Sequence, residues 1–399
     1  MDDFTISRRR FVAGAAAFTV FTPVAAQADR RTDDSGKASG AAAALIEKVF
    51  DEKPAPALSV AVSRAGGASW NMAYGFANRE LGVRATTGHR FSLGSVSKVL
   101  TSTAAARLVS KGTLDLDSPI SKWLPDLPEQ HRKTTMRQLL THRAGIRHYS
   151  RSELDMANRN GAIYMRIYAS DAEVLELFIR DPLVARPGES VNYSSYGYTL
   201  ASLVMQAATG LEFRELIQRE VATPFNLQSL AADDPWAIVP SRVGKYMNAA
   251  DVEMLCSGLP PQARPKLTEG WANMPLCNPA YCWAGGGFVM TPADAVRFGA
   301  ALLDTPQAKI SSAERQLLFT PMTEATKQMP PLGLGWRIDR DKQGRLRWHH
   351  SGATGGGCYF LAVYPEQGLS IALAGNVMNM RVNVSQVASN LADIFAGQS

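Results

Sequence analysis

Three short segments of this chain carry residue types that together suit acyl transfer. The first is Ser95-Val96-Ser97-Lys98, following Phe91-Ser92-Leu93-Gly94. On a helix, residues three apart share a face, so Ser95 and Lys98 can touch. A serine hydroxyl is a weak nucleophile until a neighbouring base takes its proton. A lysine can be that base where burial and positive surroundings lower its pKa. At a helix start, Ser95 also meets free N–H groups and the positive end of the dipole, which favour negative charge. The second segment is Tyr193-Ser194-Ser195, after Arg186-Pro187-Gly188-Glu189. Pro and Gly set it on a loop or at a helix entrance. A tyrosine near two cations can hold a phenolate, or relay a proton between nucleophile and leaving group. The third is His350-Ser351-Gly352-Ala353, followed by Thr354-Gly355-Gly356-Gly357. Gly352 lets a substrate backbone come close. His350 offers a donor or positive charge, and Ser351 a hydroxyl, to a substrate carboxylate or carbonyl. No Gly-Lys-Ser/Thr follows, so the segment is a poor phosphate loop.

Singly these motifs are weak; about one Ser-x-x-Lys match is expected by chance. The elements around them add weight. Residues 41–51 read as an Ala-rich helix with Leu45, Val49 and Phe50 on one face. Two apolar runs, Ala57–Ser63 and Ser69–Gly75, joined by Ala65-Gly66-Gly67, read as a β-hairpin. Ser95–Ser110 reads as a helix ended by Lys111-Gly112, with Ala104-Ala105-Ala106 small enough for deep packing. The middle is mostly helical. Capping boxes stand at Thr135/Gln138 and Ser170/Glu173, and helices are expected over Tyr198–Thr209 and Phe213–Val221. Residues 232–282, rich in Pro, Gly, Cys and Asn, read as a long irregular connection. Thr291-Pro292 then opens a helix. Strands are expected over Gly333–Asp339, Arg345–His349, Cys358–Tyr364 and Leu369–Ala374, and a helix over Asn383–Phe395 closes the chain. Strands at both ends most simply share one antiparallel sheet. The expected fold is therefore α/β of the α+β type. A sheet lobe (about 41–114 and 283–399) is flanked by helices, an all-helical lobe (about 115–282) is inserted, and ligands bind in the cleft between them.

The bulk properties bound the rest. The chain has 399 residues, 46% apolar and 20% charged, enough for a sizeable core. The net charge is +6, but the basic residues are scattered, which argues against nucleic acid. Residues 7–12 read Ser-Arg-Arg-Arg-Phe-Val, an apolar stretch runs to Ala26, and Ala26-Gln27-Ala28 offers a cleavage site. This is the pattern of a twin-arginine signal peptide over residues 1–28, followed by a polar linker over 29–40. The mature chain is then expected in the periplasm or outside the cell, with no stable membrane span. Export permits a disulfide. Cys277–Cys282, or Cys256 with either, stands as one alternative; four free buried thiols, Cys358 included, stand as the other. There is no CxxC pair and no histidine beside these cysteines, so neither a metal nor another cofactor is expected.

In this order, the three motifs resemble the serine β-lactamase and penicillin-binding protein superfamily. The likeness runs from about residue 41 to 396. It is strongest in residues 91–126, in TMRQLLTHRAGIRHY (135–149), in VNYSSYGYTLASLV (191–204) and in HSGATGG (350–356). These segments look like the class C branch, and especially the mitochondrial β-lactamase-like serine proteases, as does WAGGGFVMTPAD (283–294). The resemblance implies a β-lactamase/transpeptidase-like fold. It implies that Ser95 becomes acylated, that Lys98 and Tyr193 share general-base and general-acid duty, and that the backbone N–H groups of Ser95 and Ala353 form an oxyanion hole. His350 stands where β-lactamases commonly carry lysine, Ser351 replaces their threonine, and Ser195 stands where many relatives carry asparagine. These departures favour a peptidase, amidase or esterase, acting on a small molecule or peptide, over an efficient β-lactamase. A non-catalytic sensing module on the same fold is the remaining alternative. His142 and His148 match positions that look structural. The oligomeric state is not readable.

Overall fold

The computed structural model describes residues 36–64, 69–327 and 329–396. The twin-arginine segment and the hairpin turn at residues 65–67 lie outside the described residues. The end of the expected linker does not: a helix begins at Gly36 and runs to Glu52. Its buried stripe is Ala38, Ala42 and Ile46. Leu45, Val49 and Phe50, the face expected from hydropathy, are only partly buried beside it. The alanines let the helix backbone approach the sheet closely, and the larger side chains reach sideways, with Phe50 stacked on Tyr74 at 5.5 Å.

Strands from both ends of the chain do share one sheet. In spatial order it runs Val83–Arg84, Ser69–Asn78, Ala57–Arg64, Leu369–Gly375, Gly357–Tyr364, Leu346–Thr354 and Arg337–Arg340. Each neighbouring pair is antiparallel. The central pairing sets Val60 opposite Leu373. Every residue of Leu369–Gly375 is buried, because helices cover both faces. The Gly36–Glu52 and Val384–Ala396 helices close one face through Ile46, Leu391 and Phe395. The Pro292–Ala300 helix, capped by Thr291, packs on the other.

The inserted lobe departs from the all-helical expectation. Ala231–Ala232 joins Phe288–Met290 and Phe91–Ser92 of the sheet lobe in a three-stranded ladder, and Tyr246–Met247 pairs with Ala272–Asn273. The connection over 232–282 also holds an eight-residue helix, Ala249–Cys256, started by an Asn248/Asp251 capping box. Both buried capping residues are further used: Asn248 donates to the Asn379 carbonyl and Asp251 accepts from Asn379. The Thr135/Gln138 box is complete. The Ser170 box is half made, because the Glu173 carboxylate takes the Ala169 amide instead. The helix expected to Val221 changes to a wider π turn at Gln218–Ala222. All four cysteines are free, so no bridge forms among Cys256, Cys277 and Cys282. No helix of the described residues is long and apolar enough to cross a membrane.

One buried amide ties these parts together. Asn376, just past the central strand, accepts from the Ala57 amide at 2.6 Å and donates to the carbonyls of Gly244 (3.0 Å) and Phe76 (3.3 Å). An unpaired buried polar group costs about 1–3 kcal/mol. Asn376→Ala is therefore expected to lower the unfolding free energy by at least about 2 kcal/mol in urea titration; a loss below about 0.5 kcal/mol would show that these contacts do not hold the lobes.

Candidate active site

The first motif is positioned by a tight backbone turn. Strand Phe91–Ser92 leads to Gly94 at φ +47°, then a 3-10 turn over Gly94–Val96, then the α-helix Ser97–Ser110. Ser95 thus sits in the turn before the α-helix rather than on its first residue. Ala104, Ala105 and Ala106 are fully buried, as expected of a central helix.

Lys98 is buried to 0% exposure, one turn beyond Ser95. Its Nζ donates to Ser95 Oγ at 3.1 Å, to Ser195 Oγ at 2.9 Å and to the Gly285 carbonyl at 2.7 Å. A lysine nitrogen is tolerated so deep only when its hydrogen-bonding capacity is filled. Gly285 fits because it has no side chain: a Cβ there would stand 3.3 Å from Nζ. Thr101 locks the same segment by donating to the Ala284 carbonyl at 2.8 Å.

Tyr193 lies against the same nitrogen, with Nζ 5.0 Å from its ring centroid. Burial alone would raise its pKa. The Lys98 charge, hydrogen bonding with Ser95 and Lys98, and the nearby Arg337 together outweigh burial and hold the phenol below its ordinary value. Ser195 opens the helix Ser195–Thr209, capped by Ser194. Ser195 therefore holds Lys98 with its hydroxyl, at the position where many relatives carry asparagine.

The third motif continues the strand expected over Arg345–His349: His350–Ala353 lie inside Leu346–Thr354, whose pairing runs on to Thr354 opposite Gly357. Of the two roles read for His350, donor or positive charge, burial disfavours the charge and leaves the donor. The imidazole is buried, its Nδ1 meets the Ser351 carbonyl at 2.7 Å, and burial, then the charges of Arg337 and Lys98, push it well below its ordinary value. The Ser351 hydroxyl accepts from Arg337 at 2.9 Å instead of standing open in the cleft. The guanidinium of Arg337, 5.9 Å from the Tyr193 ring centroid, is the cation here. Arg337 pairs opposite His349 from a neighbouring strand, so only the sheet register brings it in.

Gly352 makes room first for the protein's own backbone. A Cβ there would meet the Leu93 carbonyl at 1.9 Å and the Ser95 nitrogen at 2.9 Å; one on Gly94 would meet the Ala353 nitrogen at 2.8 Å. Two facing glycines thus press the strand onto the Ser95 turn and bring Ser95 and Ala353 together at the cleft. The amides of these two residues are the donors that the resemblance implies for an oxyanion.

His142 and His148 do more than the sequence suggested. His142 has φ +58°, a left-handed conformation unusual for a non-glycine residue. Its ring packs on Tyr193 at 4.3 Å, and its Nδ1 accepts from the Ser194 amide. Burial, then the Lys98 charge, hold it well below its ordinary value. His148 is exposed overall, but its ring packs on Tyr149 and Tyr193 and accepts from the Ser195 amide. Ring burial, then Lys98, push it down to about 4. His142 acts on Tyr193 and Ser194 by contact, and His148 on Tyr193 and Ser195, which no local pattern in THRAGIRHY encodes.

Ser95, Ser195, Gly285 and Ala353 line a cleft of about 150 Å³ that continues over Tyr149, Leu154, Tyr164, Leu255, Met274 and Tyr281. Among the described residues no group of side chains suits a metal ion. Because the added methyl would collide with backbone, Gly352→Ala is expected to slow labelling of Ser95 by a fluorophosphonate about 100-fold, as small misplacements at a reacting centre do. An unchanged rate in the folded variant would remove the close approach from the argument.

Comparison with known proteins agrees with this geometry. The beta-lactamase family profile matches residues 42–393. The human mitochondrial serine beta-lactamase-like protein LACTB is 24% identical over 81% of this chain and 71% of its own. Penicillin-binding protein 4 of Amycolatopsis lactamdurans is 27% identical over 81% of each. The crystal structure of the D-amino acid amidase of Ochrobactrum anthropi SV3 with D-phenylalanine superposes with TM-score 0.77 at 20% identity, over 91% of this chain and all of that one, which establishes the shared fold. The chain belongs to the beta-lactamase family and is a serine hydrolase.

Proposed function

We propose that this protein hydrolyses an amide, peptide or ester through an acyl-enzyme on Ser95. The observation that carries the reading is the Lys98 amine, 3.1 Å from Ser95 Oγ at the floor of the cleft, with Tyr193 against both. Ser95 Oγ bonds to the substrate carbonyl carbon while its proton passes to the Lys98–Tyr193 pair. The tetrahedral oxyanion lies toward the Ser95 and Ala353 amides. On collapse the bond to the leaving group breaks, and the pair returns the proton to it. Water then repeats the sequence on the acyl-enzyme and frees the acid. Arg337 supports the charge that Tyr193 takes on, and neutral His350 holds the strand beside it.

Fast β-lactam turnover is not favoured. Ser195 offers no side-chain amide, and its hydroxyl is engaged by Lys98. The family includes a penicillin-binding relative, which makes penicillin a suitable acylation probe. The twin-arginine-like segment supports placing the reaction outside the cytoplasm.

Intact-mass measurement after a fluorophosphonate and after penicillin tests the nucleophile. Each probe that reacts is expected to add one equivalent on Ser95, and Ser95→Ala to add none. A folded protein that neither probe modifies, and that turns over no ester, would be a binding module instead.

The pH dependence tests the base. His142 and His350 are held well below 6.5 and His148 near 4, so no site histidine changes charge between pH 6 and 8. Tyr193 is the site group that the surrounding charges hold below its ordinary value, which makes it the candidate for a limb that rises with pH. Tyr193→Phe is expected to lower kcat/KM 100-fold or more and to abolish or displace the rising limb. A limb that survives Tyr193→Phe and vanishes in His350→Asn would assign the base to His350.

A further inference from the structure

Resting on the hydrolase reading, we infer that the acyl group this site accepts is uncharged and apolar, about the size of one aromatic ring or a six-carbon chain. The cleft beyond Ser95 has walls from three distant segments: Tyr149, Leu154 and Tyr164; Leu255, Met274 and Tyr281; and Met378. No Asp, Glu, Lys or Arg is among its lining residues, and its one histidine, His148, is held neutral above about pH 4. Carboxylates behind the wall are engaged. Glu153 meets Arg147 at 2.8 Å, Asp233 meets Lys245 at 2.6 Å, and Asp155 accepts the Ala157 amide at 2.8 Å. The cations of the site, Lys98 and Arg337, stand at the reacting end.

Size and charge therefore select together. The cleft's volume of about 150 Å³ includes the space over Ser95 and Ala353, and it opens to solvent beside Met254, so it admits an acyl group of about one ring and no larger. An ammonium on the acyl group would leave water, find no carboxylate, and face Lys98 along the cleft. A carboxylate at its far end would be buried among tyrosine rings and thioethers without a cation. Either charge is penalised by desolvation that nothing offsets. A plain alkyl or aryl group instead gains the burial of its carbons. This site is thus unsuited to donors with a free amine, whatever amine-bearing substrates others of its fold accept.

The test uses the full chain with p-nitrophenyl acetate, butyrate and hexanoate, and with the 6-aminohexanoate and adipate monoesters as charged isosteres of similar length. From acetate to hexanoate, kcat/KM is expected to rise about two- to fourfold per methylene, and both charged donors are expected to fall at least tenfold below hexanoate. A second variant probes the wall itself. Met254 lines the cleft but is 38% exposed, so its replacement is tolerable to the fold. Met254→Asp is expected to raise the ratio of aminohexanoate to hexanoate turnover at least tenfold. A flat chain-length series, or an aminohexanoate or adipate turned over as fast as hexanoate, overturns the inference while leaving the serine hydrolase intact. Failure of every ester together with an unlabelled Ser95 overturns the hydrolase reading, and this inference with it.

Discussion

A lysine nitrogen buried without access to water organises this molecule. Lys98 needs acceptors, and it finds them on three elements far apart in the chain: Ser95 beside it, Ser195 at the start of a helix in the inserted lobe, and the Gly285 carbonyl. Leaving such a group unpaired would cost several kcal/mol. The nucleophile helix, the Ser195–Thr209 helix and the Gly285 segment are therefore held in register by one side chain. Thr101 on Ala284 and Thr199 on the Tyr281 carbonyl repeat the constraint one turn along each helix. The chemistry and the junction between lobes depend on the same nitrogen.

A second constraint is steric. Gly94 and Gly352 let two backbones approach more closely than any side chain allows. That approach brings Ser95 and Ala353 together, and it explains why the third motif must be a strand. Around this frame the aromatic rings of Tyr193, His142 and His148 pack against one another. His142 holds its ring in place from a left-handed backbone, a strained conformation of the sort that persists when surrounding packing enforces it. The imidazoles shape and polarise the site without carrying charge at neutral pH.

Charge is distributed differently from the pattern of the motifs alone. The histidine of the third motif is neutral because it is buried between Lys98 and Arg337. The cation comes from Arg337, on an edge strand, through the Ser351 hydroxyl. Away from this end, the cleft turns apolar, and its polarity gradient separates the reacting carbonyl from the group attached to it.

The spacing of Ser95 and Lys98, the glycine before and the alanines after them, the strands at both chain ends and the cap at Thr291 were all readable in the sequence, because each follows from short-range geometry: one helical turn, a short apolar run bounded by turn residues, a hydroxyl three residues from an amide. The Asn248/Asp251 cap was equally local, and was hidden only by the Pro- and Gly-rich composition around it. Tertiary structure alone decided that Ser195 serves Lys98, that His350 is neutral, that Arg337 supplies the cation, that His142 and His148 brace Tyr193, and that the cleft walls bear no charge. Each of these depends on which groups meet across the sheet register or between lobes, and on how much water remains there. Desolvation and long-range charge are properties of a packed volume, and no window of sequence contains that volume.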